Sequence, residues 1–392
     1  MTPGFWCYSI NYLLSSWLQA IGMADIPIYG VLVGTVLHIP MNILFIYVLD
    51  MGYLGAAVAS SIFRFIQPFV TTIIICMTAK GTQRIHVNTG ADTIYHPIPL
   101  LYDIQRAVWS LKGILQYLSL AVPGIVNIST WWASEVTILL AGQLSHPDIA
   151  LASMTIYQSI INLCFKYSMG VSIACATHVS NLLGAGDGPK AQFASHVSTI
   201  YATVTVFVMA FGLYTLPHTL VPSLFTNDAE ILSQVAKTIP YLALYVFADG
   251  MQITFNGVIK GCGRQCVVMP MVLFSYWMVG VPLSYMLAFQ LDAVHNFVPF
   301  IFSMQDQDGI IGLTTGMAIG SWTLFSLVGL SVCCFTDWKK EVVNAQLRMG
   351  IEHKRKTTHQ NITQTTCDVE NNIKVEENDD VLVNERTPLT SK

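Results

Sequence analysis

Residues 120–144 read LAVPGIVNISTWWASEVTILLAGQL, with one carboxylate, Glu135, deep inside an apolar run that begins at Gly113. A helix needs about 20 mostly apolar residues to cross a bilayer, and this run is long enough. The rest of the 392 residues has the same character. The hydrophobic fraction is 53% and the charged fraction 11%, against about 25% charged in an ordinary globular domain. That excludes a soluble globular chain and a disordered one. A net charge of −4 leaves no basic footprint for nucleic acid. The nine cysteines form no CxxC pair, which excludes a zinc ribbon or a thioredoxin-type site, and the chain is too long and apolar for a disulfide scaffold. The composition therefore predicts an all-α polytopic membrane protein.

Nine apolar runs are long enough to span, near 5–22, 28–49, 53–78, 115–142, 149–179, 196–217, 230–260, 267–291 and 310–335. Turn clusters break them at 49–55, 142–148, 181–190, 226–230, 261–265 and 305–309. The first run is the weakest, because it carries Asn11 and Gln19. Residues 336–392 turn polar and read as a largely disordered tail, with a short helix fitting 337–349. Lys and Arg fall on alternate loops. Lys80, Arg84, Arg106 and Lys112 lie in 79–114, Lys190 in 180–195, Lys260 and Arg264 in 260–267, and Lys339, Lys340 and Arg348 at the tail start. The loops at 49–53, 143–148, 218–229 and 292–309 hold none. By the positive-inside rule the tail and the 79–114 loop are expected in the cytosol, with residue 1 outside. No signal peptide is expected, and the sequons at Asn127 and Asn361 read as unused.

An ionisable residue inside a span is a functional hypothesis by default, since placing its charge there costs roughly 2.5–3.5 kcal/mol. Arg64, Glu135, Lys166 and Asp249 stand inside spans; Lys237 can snorkel, His178 lies near a helix end, and Asp50 and Asp292 lie at boundaries. For Glu135 the functional reading is a proton or cation site, and the bland one a carboxyl bonded between helices. For Asp249, beside Gly250, the bland reading is a cap on a broken helix. Arg64 reads as a counter-ion or a snorkelling side chain. Trp131 lies one helical turn from Glu135 and Trp132 beside it. An aromatic face near a carboxylate suits an organic cation, at about 0.5–2 kcal/mol, although either Trp alone fits bundle packing equally well. The sequence has no GxGxxG, Walker A, HExxH or nucleophile-elbow motif. An enzyme, a metal site and ATP-driven transport are thus not expected.

Several segments resemble the multidrug and toxin extrusion (MATE) family. Residues 121–145 are similar to its seventh helix, where the animal branch carries P-x(7)-WWA-x-E. VSIACATHVSNLLGAGD (171–187) is similar to the end of helix eight, and 257–287 to the G-V-x-x-G-x-G-x-Q segment that follows helix ten. Residues 309–321 with TDWKKEV (336–342) resemble the last helix and its exit, and Pro27, Asn42 and 52–61 fit helices five and six. The resemblance implies a two-lobe helical bundle with an incomplete N-lobe, about the first three of twelve helices being absent. It implies a partial N-lobe over 1–78, a cytosolic interlobe linker over 79–114, a C-lobe over 115–335 and a cytosolic tail over 336–392.

By the same resemblance Glu135 and Asp249 take the places of the helix-seven and helix-ten carboxyls that exchange organic cations for protons. Tyr157 and Gln158 take the place of a helix-eight Tyr-Glu pair. The chain departs from the pattern at Thr130, Gln158, His178, Ser180 and Gly312-Leu313-Thr314, so two of four expected carboxyls are missing. The expected activity is secondary antiport, exporting organic cations or other xenobiotics in exchange for protons or sodium by alternating access. It would need no cofactor beyond the ion gradient and no nucleic-acid partner. The expected address is a multi-pass position in the plasma membrane or an organelle membrane. The rival expectation is a transport-inactive membrane protein that acts as a fragment or with a partner subunit.

Overall fold

The computed structural model describes residues 2–20, 23, 25–81, 85–89, 92–96, 111–289 and 309–348. Helix α1 spans Thr2–Ala20, α2 spans Asp25–Ile43 and continues as a π-helical turn over Leu44–Val48, and α3 spans Gly52–Gly81. A hairpin follows, with β1 at Ile85–Thr89 antiparallel to β2 at Asp92–His96 and Val87 paired with Ile94. Then come α4 (Leu111–Ala141), α5 (Pro147–Gly184), α6 (Gly188–Thr215), α7 (Ala229–Gly261), α8 (Gln265–Phe289), α9 (Gly309–Phe335) and α10 (Trp338–Arg348).

Local chemistry sets several helix ends. Pro147 opens α5, a position where the missing N–H is one of the orphan donors anyway. Asp187 caps α6 by accepting from the Lys190 N–H at 3.1 Å. Asp228 caps α7 by accepting from Glu230 and Ile231 at 2.9 and 3.3 Å. Gly186 and Gly263 close the turns after α5 and α7 at φ of 83° and 67°, where a side chain would be strained.

Helix α7 is the axis of the larger group of helices. It packs on α5, α6 and α9, and its residues from Tyr245 to Ile259 are almost all buried. Small residues let the backbones approach, as expected where helices associate without a hydrophobic drive. Gly250 abuts Ser168 of α5 and Val206 of α6, Gly257 abuts Ser172, and Gly261 abuts Val179. On the far side Gly312 and Gly316 of α9 lie against Leu287 and Ser284 of α8, and Ser284 Oγ donates to the Leu313 carbonyl at 3.0 Å. Helix α8 is α-helical at both ends and π-helical over Leu273–Gly280, which buries Tyr276 completely. Helices α1–α3 pack on one another. Gly30 and Gly34 of α2 sit against Gln67 of α3, and α1 also touches α5.

The chain is thus a helical polytopic membrane protein. Among the described residues seven helices are long and apolar enough to cross a membrane, not nine. The runs at 5–22 and 115–142 are helical but less apolar than the others. The first carries Ser9, Asn11, Ser15, Ser16 and Gln19; the other carries Asn127, Ser129, Thr130, Ser134 and Glu135. Helices α5 and α6 are also longer than the apolar runs at 149–179 and 196–217, because polar turns continue each helix beyond its apolar part.

The 79–114 segment, expected as an interlobe linker, holds the hairpin and the start of α4, so the described residues are nearly all helical with one small sheet. The helix expected near 337–349 is α10, and it is docked, with Trp338, Val342 and Ala345 packed against the core cluster. Its Glu341 pairs with Arg264 at 3.4 Å, and Arg348 donates from Nη1 and Nη2 to the Cys262 carbonyl at 3.0 Å each. Arg84, Arg106, Asp292, most of the 292–309 loop, Asn361 and the tail after 348 lie outside the described residues.

Candidate functional site

Asp249 lies in the buried stretch of α7, 7% exposed. Its Oδ1 accepts from Gln252 Nε2 at 3.1 Å, and Gln252 Oε1 in turn accepts from Asn256 Nδ2 at 2.9 Å. These residues follow at i, i+3 and i+7, so one face of the helix carries a directional ladder that ends on the carboxylate. No Lys or Arg among the described residues pairs with Asp249. Around it stand Tyr157 of α5, Tyr245 of α7 and Tyr276 of α8, all buried and within electrostatic reach of the carboxyl. Tyr276 has Tyr245 and Ser321 as hydroxyl neighbours, whereas Tyr157 Oη and Asn256 Oδ1 are buried without a hydrogen bond among the described residues. Such atoms are rare in folded proteins and mark places that take water or a ligand.

Glu135 is placed differently. It is exposed on α4, on a stripe with Ile128, Trp131, Trp132 and Leu139, and it makes no hydrogen bond or ion pair among the described residues. Trp131 is 40% exposed and meets Phe165 of α5 edge-on, with centroids 5.0 Å apart. Lys166 Nζ sits 5.6 Å from the Trp131 centroid and 5.8 Å from that of Phe165, within cation–π range of both. Trp132 is 54% exposed. Gln158 is half-buried beside Tyr157.

The structure therefore brings Tyr157 to Asp249 and Trp131 to Lys166. It separates the two carboxyls into a buried group and an exposed one. Arg64 pairs with no carboxylate among the described residues; its guanidinium lies 5.3 Å from the Tyr8 centroid, across α1 and α3. Sequence reasoning missed Gln252 and Asn256, whose helical spacing from Asp249 was the available signal. It missed Tyr245, which no motif marked, and it gave no role to Tyr276, which lies in the 257–287 segment that resembles the family. No group of three His, Cys, Asp or Glu suited to a metal ion occurs among the described residues.

This arrangement belongs to a multi-pass helical membrane protein with a buried, cation-free carboxylate among its packed helices. Residues 124–286 match the family model MatE. The chain is 29% identical over 368 residues to Protein DETOXIFICATION 39 of Arabidopsis thaliana, covering 92% of this chain and 64% of that protein. Its fold is similar to that of the eukaryotic MATE transporter AtDTX14, with a TM-score of 0.73 at 22% identity over 88% of this chain and 70% of that one. It is also similar to the Vibrio cholerae MATE transporter VcmN in the bent form, with a TM-score of 0.62 at 15% identity over 88% and 68%. These likenesses are all to proteins of the MATE and DETOXIFICATION families. The chain spans a little under two thirds of the length of the plant relatives it matches first, 64% and 63% for the first two.

Proposed function

We propose that this chain belongs to a secondary antiporter that exports organic cations in exchange for protons or sodium by alternating access. The observation that carries the reading is Asp249, a carboxylate buried within a spanning helix and answered by an amide instead of a cation. A charge so placed is costly, and intramembrane carboxyls of this kind mark ion and proton pathways. In this reading Asp249, with Tyr157 beside it, takes up the driving ion. Glu135, Trp131 and Trp132 face the substrate, and Gln158 lines the approach. Protonation from the outside discharges the cation, and deprotonation towards the cytosol restores the binding form.

In the same reading residues 1–78 contribute to an N-lobe, 115–335 form the C-lobe and 79–114 join them on the cytosolic side, where the tail from 336 also lies. Substrate binds between such repeats in transporters of this build. The plasma membrane or an organelle membrane is the place of action. An animal-branch origin rests on Trp131-Trp132-Ala133 and Glu135; the relatives described above are plant proteins.

The test is uptake of a fluorescent organic cation into proteoliposomes under an imposed pH gradient, repeated with a sodium gradient. Gradient-dependent uptake that is lost in both Asp249→Asn and Glu135→Gln is the expected result. Full uptake in Asp249→Asn would remove that carboxyl from coupling. No uptake by folded, inserted protein would favour a transport-inactive chain or one that needs a partner subunit.

A further inference from the structure

Lys166 is the cation of the site, and it belongs to the protein. It lies near the middle of α5, which runs from Pro147 to Gly184. The apolar run that holds it, 149–179, ends about 20 Å away on the nearer side at 1.5 Å per residue, farther than a lysine stem can snorkel. The ammonium therefore stays at depth, on the exposed side of α5. Its ring partners among the described residues are Trp131 and Phe165, the edge-to-face pair that joins α4 to α5. Glu135, which lacks a protein partner among the described residues, is one helical turn from Trp131 on the same exposed stripe. An aromatic corner with a carboxylate one turn away is the geometry that recognises an organic ammonium.

We propose that Lys166 is a tethered competitor: its ammonium holds the corner of Trp131 and Phe165, and a cationic substrate must take that corner from it. This rests on the organic-cation reading above and adds a built-in competitor to it. A primary ammonium is compact and strongly hydrated, so it leaves an aromatic face for water at low cost. A quaternary or charge-delocalised cation is weakly hydrated and gains more from the face. Lys166 thus lowers the affinity of every cation that takes the corner by a common factor, and the preference for quaternary and aromatic cations comes from the rings themselves. While it holds the corner it keeps a positive charge on the Trp131 ring, so the substrate's arrival exchanges one cation for another there.

The proposal is tested by equilibrium binding, with no gradient and no transport. Purified full chain in detergent is titrated with radiolabelled tetraethylammonium, alongside Lys166→Gln, Lys166→Met and each of these combined with Trp131→Leu. Removing the competitor should tighten binding by roughly 2- to 30-fold, the range a cation–π contact represents. The gain should vanish in the Trp131→Leu background, since a coupled pair is not additive. Binding of methylammonium, weaker from the start, should tighten by the same factor as that of tetraethylammonium, because the lost competitor is common to both. Unchanged or weaker tetraethylammonium binding in both Lys166 variants would overturn the proposal, as would a gain that persists without Trp131. Absence of binding in the wild type and both variants would overturn it too. Failure of gradient-driven uptake alone would sink the antiport reading and leave this binding test decisive for Lys166.

Discussion

Gln252 Nε2 donates to Asp249 Oδ1 at 3.1 Å, so the buried carboxylate is held by an amide one turn further along its own helix. The same amide accepts from Asn256, and one side chain therefore satisfies two buried neighbours. Gln252→Leu would leave both without that partner, at a cost of about 1–3 kcal/mol for each orphaned group. The expected outcome is a lower thermal midpoint for the purified protein in detergent and a loss of transport. Gln252→Glu restores an acceptor for Asn256 but sets a second carboxyl against Asp249, and should fail to rescue. A variant Gln252→Leu with wild-type midpoint would show that the ladder contributes nothing to stability.

The seam between α8 and α9 tolerates no side chain at Gly316. A β-carbon there would run into the backbone and hydroxyl of Ser284. Gly316→Ala should destabilise by about 1–3 kcal/mol or more, the usual cost of overpacking. At Gly170, by contrast, a β-carbon meets nothing within 4 Å. Gly170→Ala should be neutral or stabilising by up to about 1 kcal/mol, the helix preference of Ala over Gly. Thermal midpoints of the two variants decide this directly, and equal effects would contradict the packing described.

Cys262, just past the end of α7, is 3% exposed under α10. Burial, with the nearby Glu341 carboxyl adding to it, pushes its thiol up to about 12. Only the thiolate is nucleophilic, so at pH 8 this cysteine stays protonated and covered. Maleimide labelling followed by mass spectrometry should modify exposed Cys266 quickly and Cys262 slowly. Arg348→Ala combined with Glu341→Ala removes both polar ties of α10, and Cys262 should then label at a rate approaching that of Cys266. Fast labelling of Cys262 in the wild type would mean that α10 is not docked in solution.

Asp187 at the start of α6 gives a pH prediction. Its carboxyl is lowered by the hydrogen bond and ion pair with Lys190, after which the backbone N–H of Lys190 contributes. A lowered carboxyl contributes stability at every pH above its unfolded value, near 3.9, and loses it only as pH falls through the folded value. Amide protection at Lys190 and Ala191, corrected for intrinsic exchange, should therefore be flat from pH 8 to about pH 5. Asp187→Ala should speed exchange there at pH 7 without affecting α7, which Asp228 caps. Protection that declines steadily between pH 8 and pH 5 would contradict the pairing.

The helices were legible because bilayer-length apolar runs and turn clusters constrain one another, and the turn cluster at 226–230 is where the structure places the Asp228 cap. The chemistry was legible only in part. Glu135 and Asp249 both stand inside long apolar helices, yet one is exposed and the other buried; which face of a helix meets its neighbours is settled by packing between distant segments. The pairing of Trp131 with Lys166 likewise joins two helices, and the spacing around Glu135 could not reveal it. The π-helical turn at Leu273–Gly280 changes the hydrogen-bond register without changing hydropathy, so an apolar run reads straight through it. Helix α10 was underestimated because its polar residues, Glu341 and Arg348, are the ones that attach it.

That attachment ties the end of the bundle to the order of synthesis. Arg348 reaches a carbonyl 86 residues earlier in the chain, and Glu341 likewise reaches back to Arg264. On the ribosome the turn between α7 and α8 is made long before either partner exists. Until residues 338–348 emerge, Arg264 lacks its carboxylate and Cys262 lacks its cover. The corner at 261–264 is therefore among the last parts of the described chain to close. A nascent chain stopped short of α10 would carry its mark there, as an uncovered thiol and an unanswered guanidinium.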